Sequence, residues 1–161
     1  MPIYLEEIKK ALSEFFSKDA CLLDEFRKTH EQTISFRIAH YLAKRLEGGE
    51  LFVDCEFHGD VNNKTRRKEL CNPNNGKVVR VRPDIIYHDR SKRNEFCIEI
   101  KRLSARKDKQ KVQSFVKANL YNEGYCLYGF KRTGCKVAVF YKDGNGQVVA
   151  EEQFFEFFKI V

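Results

Sequence analysis

Apolar residues recur at helical spacing from the start of the chain. Leu5, Ile8, Leu12, Phe15 and Phe16 predict a helix over residues 3–16. A second helix is expected over 18–28 through Leu22, Leu23 and Phe26. Ile34, Ile38, Tyr41 and Leu42 form the clearest stripe and predict a helix over 30–46, with Thr29 as its N-cap and Gly48 at the usual stop position. Beyond it the period changes from helical to alternating. Residues 51–57 read as a strand with acids between apolar positions, and 78–88 and 95–101 read as two strands joined by the turn 89–94, most simply a hairpin. Between them lies a polar, turn-rich excursion, 58–77, and loops of that length in small domains tend to be functional or mobile. Val112, Phe115, Val116 and Leu120 predict a helix over 105–120 with basic residues opposite. Strands follow at 125–130 and 136–141, and Asp143-Gly144-Asn145-Gly146 is a turn. The tail 147–161 fits a strand through Val148 and Val149, or a helix through Phe154, Phe155 and Phe158. Helices, three strands, a helix and further strands, in that order, predict a mixed α/β domain whose sheet has helices packed against it.

Composition narrows this picture. The chain has 161 residues, enough for one core without staples, and its pattern contains no repeat and no second core. Its 14 Phe and absent Trp predict a Phe-rich interior. No run approaches the roughly 18 apolar residues that cross a bilayer, and Glu6, Glu7, Lys9 and Lys10 leave no room for a signal-peptide core at the start. A cytoplasmic protein with no membrane partner is therefore expected. Six cysteines at positions 21, 55, 71, 97, 126 and 135 include no CxxC pair and are read as reduced packing thiols. Thirty Lys and Arg against 23 acids give a formal charge of +7, which favours a polyanionic partner. The excess is clustered at Lys64, Arg66, Arg67 and Lys68, and again at Lys101, Arg102, Arg106, Lys107, Lys109 and Lys111. Nucleic acid suits these clusters better than a membrane surface, since neither lies on a strongly amphipathic, aromatic-rich helix.

The candidate chemistry sits on the two central strands, in Pro83-Asp84-Ile85-Ile86-Tyr87 and Phe96-Cys97-Ile98-Glu99-Ile100-Lys101. Strand alternation sends Glu99 and Lys101 to one face and Ile98 and Ile100 to the other. Charges on an apolar strand are costly unless a metal or a partner charge compensates them. Glu31 lies three residues before Ile34 and seven before Ile38, on the stripe expected to face the sheet; alone it also reads as an acid favoured by the helix dipole. Together Glu31, Asp84, Glu99 and Lys101 could line one pocket, and two carboxylates plus water and a phosphate oxygen suit Mg²⁺ or Mn²⁺. Glu56 reads either as part of a solvated strand face or as a group beside the metal or Lys101. Arg80 and Arg82 either contact phosphate or pair with such acids. His30, His40, His58 and His88 show no ligand spacing, although His88 shares the parity of Asp84. Tyr121, Tyr125 and Tyr128 read as core before base-stacking. No Gly-x-Ser-x-Gly elbow and no Gly-rich phosphate loop is present.

The Pro83-Asp84 and Glu99-Ile100-Lys101 pieces, led by a helix carrying Glu31, resemble the PD-(D/E)XK or restriction-endonuclease-like nuclease superfamily. Residues 31–37, 53–56, 83–86 and 125–129 further resemble small bacterial members of it. The likeness spans residues 30–141, with 1–29 as an N-terminal helical extension of a single domain over 1–161. It implies an αβββαβ core, a mixed central sheet flanked by helices, and metal-dependent hydrolysis of phosphodiester bonds, in DNA before RNA. It also implies roles for residues. Asp84, Glu99 and the Ile100 backbone carbonyl would be metal ligands, with Glu31 or Glu56 as a further one; Lys101 would be the catalytic lysine and Glu31 an accessory acid. Lys64, Arg66, Arg67, Lys68, Arg102, Arg106 and Lys107 would hold the nucleic acid. The resemblance leaves room for a homodimer or a protein partner. The alternative is a non-catalytic module on the same fold that binds nucleic acid or protein.

Overall fold

The computed structural model describes residues 1–24, 29–56, 69–71, 78–80, 82–91 and 93–158, with 69–71 and 78–80 described by their backbone alone. Helix α1 (Leu5–Asp19) buries Ile8, Ala11, Leu12, Phe15 and Phe16, an unbroken one-sided stripe. A 3₁₀ helix, Ala20–Leu23, follows in place of the expected helix over 18–28, whose later positions lie outside the described residues. Helix α2 (Glu31–Leu46) is capped by His30 rather than Thr29, and its C-cap is the extended Glu47 rather than Gly48. Gly49 supplies the left-handed turn into the sheet, at φ +75°.

Strand β1 (Phe52–Cys55) begins the sheet. The 58–77 excursion carries a short strand, β2 (Glu69–Cys71), paired with β3 (Val78–Arg80) as a separate two-stranded ribbon. The strand expected over 78–88 is thus two. Pro83 falls between them, and a residue with no N–H cannot carry a ladder through. Strand β4 (Ile85–His88) pairs antiparallel with β1 and with β5 (Asn94–Lys101), giving the expected hairpin. Helix α3 (Arg106–Lys117) then crosses over to β6 (Glu123–Lys131), which lies parallel to β5. Strands β7 (Gly134–Lys142) and β8 (Val148–Glu156) complete an antiparallel meander, so the order across the six-stranded mixed sheet is β1-β4-β5-β6-β7-β8. The ambiguous tail is therefore a strand. Its aromatic residues alternate, Phe155 and Phe157 each stacking 5.9 Å from Phe16 while Phe154 points away, 49% exposed.

The sheet divides two apolar cores. On one face Ile85, Ile98, Ile100, Leu127 and Val137 pack against α1 and α2. On the other Ile86, Cys97, Cys126 and Phe140 pack against Val112, Phe115 and Val116 of α3. Tyr121, Tyr125 and Tyr128 are buried, as the core reading expects. The five described cysteines are all free thiols. Gly124 lets α3 approach the sheet closely, since a Cβ there would stand 2.4 Å from Val112 Cγ1. No described helix is long and apolar enough to cross a membrane.

Candidate functional site

The β4–β5 register pairs Ile85 with Ile98, so one step further Asp84 stands across from Glu99 on the face that α3 covers. Asp84 is fixed there by a hydrogen bond that its Oδ2 accepts from the Ile100 N–H at 2.7 Å. A residue in a strand directs its N–H and C=O to the same side, so the Ile100 carbonyl leaves β5 toward Asp84 as well. Glu99 is 3% exposed, and its Oε1 meets Lys111 Nζ of α3 at 2.6 Å. Burial pushes the Glu99 carboxyl up to about 7; Lys111 opposes the rise and Asp84 adds to it. Burial also raises Asp84, against the pull of the Ile100 amide, Lys101 and Lys111.

At the end of β5, Lys101 Nζ donates to Glu31 Oε2 at 3.0 Å, and the Arg102 N–H donates to Glu31 Oε1 at 2.9 Å. Burial works against the charge on Glu31, but the Arg102 amide and Lys101 together hold its carboxyl below the usual range. Burial likewise disfavours the Lys101 ammonium, and Glu31 outweighs it, keeping the amine protonated. The four expected residues thus meet at one end of β5 as two pairs: a buried carboxyl pair, Asp84 with Glu99, and an ion pair, Glu31 with Lys101.

A third carboxylate, Glu56, lines a cleft with Asp84 but is held by other partners. Register places Glu56 across from Asp84, whose carbonyl accepts the Glu56 N–H at 3.0 Å. Glu56 then turns away at φ +48°, its carboxylate meeting Gln32 at 3.1 Å and Arg82 at 3.6 Å, and not Lys101. Among the described residues, no three His, Cys, Asp or Glu side chains form a group that could hold a metal ion. What fits a cation is narrower. Two facing carboxylates, both disfavoured as anions by burial, with a main-chain carbonyl on the same side, suit a hard divalent ion that keeps several waters.

Other expected residues fall elsewhere. His88 is fully buried against Asp54 at 2.8 Å and does not reach the site. Arg102 turns its guanidinium inward, donating to the carbonyls of Leu23, Asp24 and Thr29, so it ties the site loop to the 3₁₀ helix instead of projecting outward. Arg106 and Lys107 are exposed on the first turn of α3. Lys64, Arg66, Arg67, Lys68 and His58 lie outside the described residues, and Arg80 is described by its backbone alone. Lys111, expected within the basic cluster that meets nucleic acid, instead contacts Glu99, and Asp108, which the sequence did not single out, raises both Glu99 and Lys101 from the first turn of α3. Their spacing held the signal: Asp108, Lys111 and Phe115 share a helix face with Val112. No family model, no curated protein and no solved structure matches this chain.

Proposed function

We propose that this chain is a metal-dependent nuclease that hydrolyses phosphodiester bonds of nucleic acid, DNA before RNA. The observation that carries the reading is the pairing of Asp84 with Glu99 across β4 and β5, at the strand end that bears Lys101. The succession α2, β1, β4, β5, α3, β6, with β5 parallel to β6, supports it as an αβββαβ arrangement. Asp84, Glu99 and the Ile100 carbonyl would hold Mg²⁺ or Mn²⁺. When bound, such an ion lowers the pKa of its water and offsets charge developing on the phosphoryl oxygens. Lys101 acts as a cation rather than a base, since Glu31 holds its proton. It would orient the attacking water and donate to a phosphoryl oxygen in a site where such a charge is only partly screened. Arg106 and Lys107 would meet the backbone beside it.

The test is cleavage of labelled DNA and RNA with Mg²⁺ or Mn²⁺. Asp84→Ala and Lys101→Ala should each lose activity by at least a hundredfold while keeping the wild-type circular dichroism spectrum. Undiminished cutting by either variant refutes the assignment. The Lys111–Glu99 contact favours a second reading, a non-catalytic nucleic-acid- or protein-binding module, because an internal cation already neutralises one ligand. Binding without cleavage under every metal condition would select it.

A further inference from the structure

One cleft takes in Asp84 and a second lies beyond the Glu31–Lys101 pair, next to Arg102, and each displays one of the chain's exposed large apolar side chains. The first, about 290 Å³, is lined by Gln32, Ser35, Phe36, Cys55, Glu56 and Asp84. Phe36 stands on α2 one turn beyond Gln32 and is 62% exposed. The second, about 490 Å³, opens where the β5–α3 loop meets the β6–β7 turn, lined by Leu23, Phe130, Arg102, Leu103, Lys131 and the ion-paired Asp24 and Arg132. Leu103 is 81% exposed. Its loop is nevertheless firmly held, because the Arg102 N–H donates to Glu31 and the Arg102 carbonyl accepts the Phe130 N–H at 3.1 Å. Lys131, Arg132, Arg106 and Lys107 are exposed at this end, and Asp24 fixes Arg132 in place.

An aromatic face beside Asp84 and an apolar cleft with Lys131 at its rim are what an unpaired strand needs. Bases that are not stacked in a duplex seek apolar or aromatic surfaces, and their phosphates seek cations. A paired duplex keeps its base faces to itself and would leave Phe36 unused. We infer that the site takes an unpaired strand of nucleic acid, with a base stacked on Phe36 beside Asp84 and the backbone running past Leu103 toward Lys131. This rests on the nuclease reading and adds the substrate class to it.

The experiment compares binding of single-stranded oligo-dT, single-stranded oligo-rU and a blunt hairpin duplex whose strands are joined by a non-nucleotide linker, so that it has no unpaired base. Fluorescence anisotropy is read on the Lys101→Ala protein with Mg²⁺, so that the strand stays intact. The single strands should bind at least tenfold tighter than the hairpin, and the ratio of oligo-dT to oligo-rU identifies the sugar. Adding Phe36→Ala should cost about tenfold on the single strand and leave hairpin binding unchanged. The chain has no Trp, so Phe36→Trp provides a sole indole whose emission should be quenched when a base stacks on it. Hairpin binding equal to or tighter than the single strand overturns the inference, as does a bound strand with an unquenched indole. In both cases the nuclease reading survives. Failure to bind any of the three probes counts against that reading itself.

Discussion

Glu99 couples the site to the stability of the whole protein. In the folded chain its carboxyl titrates at about 7, against 4.5 ordinarily, because burial between the sheet and α3 costs its anion more than Lys111 returns. Between those two pH values the folded state keeps a proton that the unfolded state has released. Stability contributed by this group is therefore complete at low pH and falls as pH rises from about 4.5 toward 7. The span corresponds to about 3 kcal/mol, and Asp84, raised by the same burial, adds to it with the same sign. Denaturant titrations at pH 5 and pH 8 should show the loss, and Glu99→Gln should remove most of the slope. An unaltered slope in that variant would assign the titration to another group.

At the scale of elements, the site depends on how closely α3 lies on the sheet. Gly124 on β6 makes that approach possible, and Val112, the neighbour of Lys111, occupies the space where a Cβ would go. Gly124→Ala should cost about 1–3 kcal/mol by overpacking and should draw Lys111 away from Glu99. Thermal unfolding would register the first effect, and an altered pH-stability profile the second. A variant with wild-type stability would mean that α3 has slack to move outward. This dependence explains which parts of the site were legible in the sequence. Strand alternation put Glu99 and Lys101 on one face, and Glu31 could be read from its place on the α2 stripe. Lys111 could not, because a lysine at the edge of an apolar helix stripe can turn either outward or inward, and its inward turn depends on Glu99 lying opposite across the packed α3–sheet face. The break at Pro83 was hidden by the apolar residues on both sides of it. The tail was ambiguous because Phe154, Phe155 and Phe158 suit a helix, whereas Phe155 and Phe157 are the pair that packs on Phe16. Phe36 carries no such signal in the sequence, since a single apolar residue on a helix surface is ordinary.

At the scale of the whole molecule, what matters is which of the described charges are already paired. Many of the described acids are occupied by nearby cations or amides: Asp54 by Arg90, Glu95 by Arg93, Glu152 by Lys109, Glu31 by Lys101. Glu123 is used inside, accepting the Ile3 and Tyr4 N–H groups and so tying the start of α1 to β6. Arg102 is likewise spent on carbonyls, which leaves Arg106, Lys107 and Lys131 among the exposed cations at the end of β5 and β6 that holds Asp84 and Glu99. A strand laid across that end should release one counterion for each phosphate it brings to a cation. Each such contact contributes about 0.7 to the slope of log affinity against log salt for a single strand. Replacing Arg106 and Lys107 together by Ala should therefore lower the slope by roughly 1.4, weaken binding similarly for every sequence, and leave quenching of the Phe36→Trp indole at saturation unchanged. The measurement is a series of binding titrations at increasing KCl, run beside an Arg66→Ala, Arg67→Ala, Lys68→Ala protein. If only the second protein has a reduced slope, the phosphates run along the 58–77 segment and not past the first turn of α3.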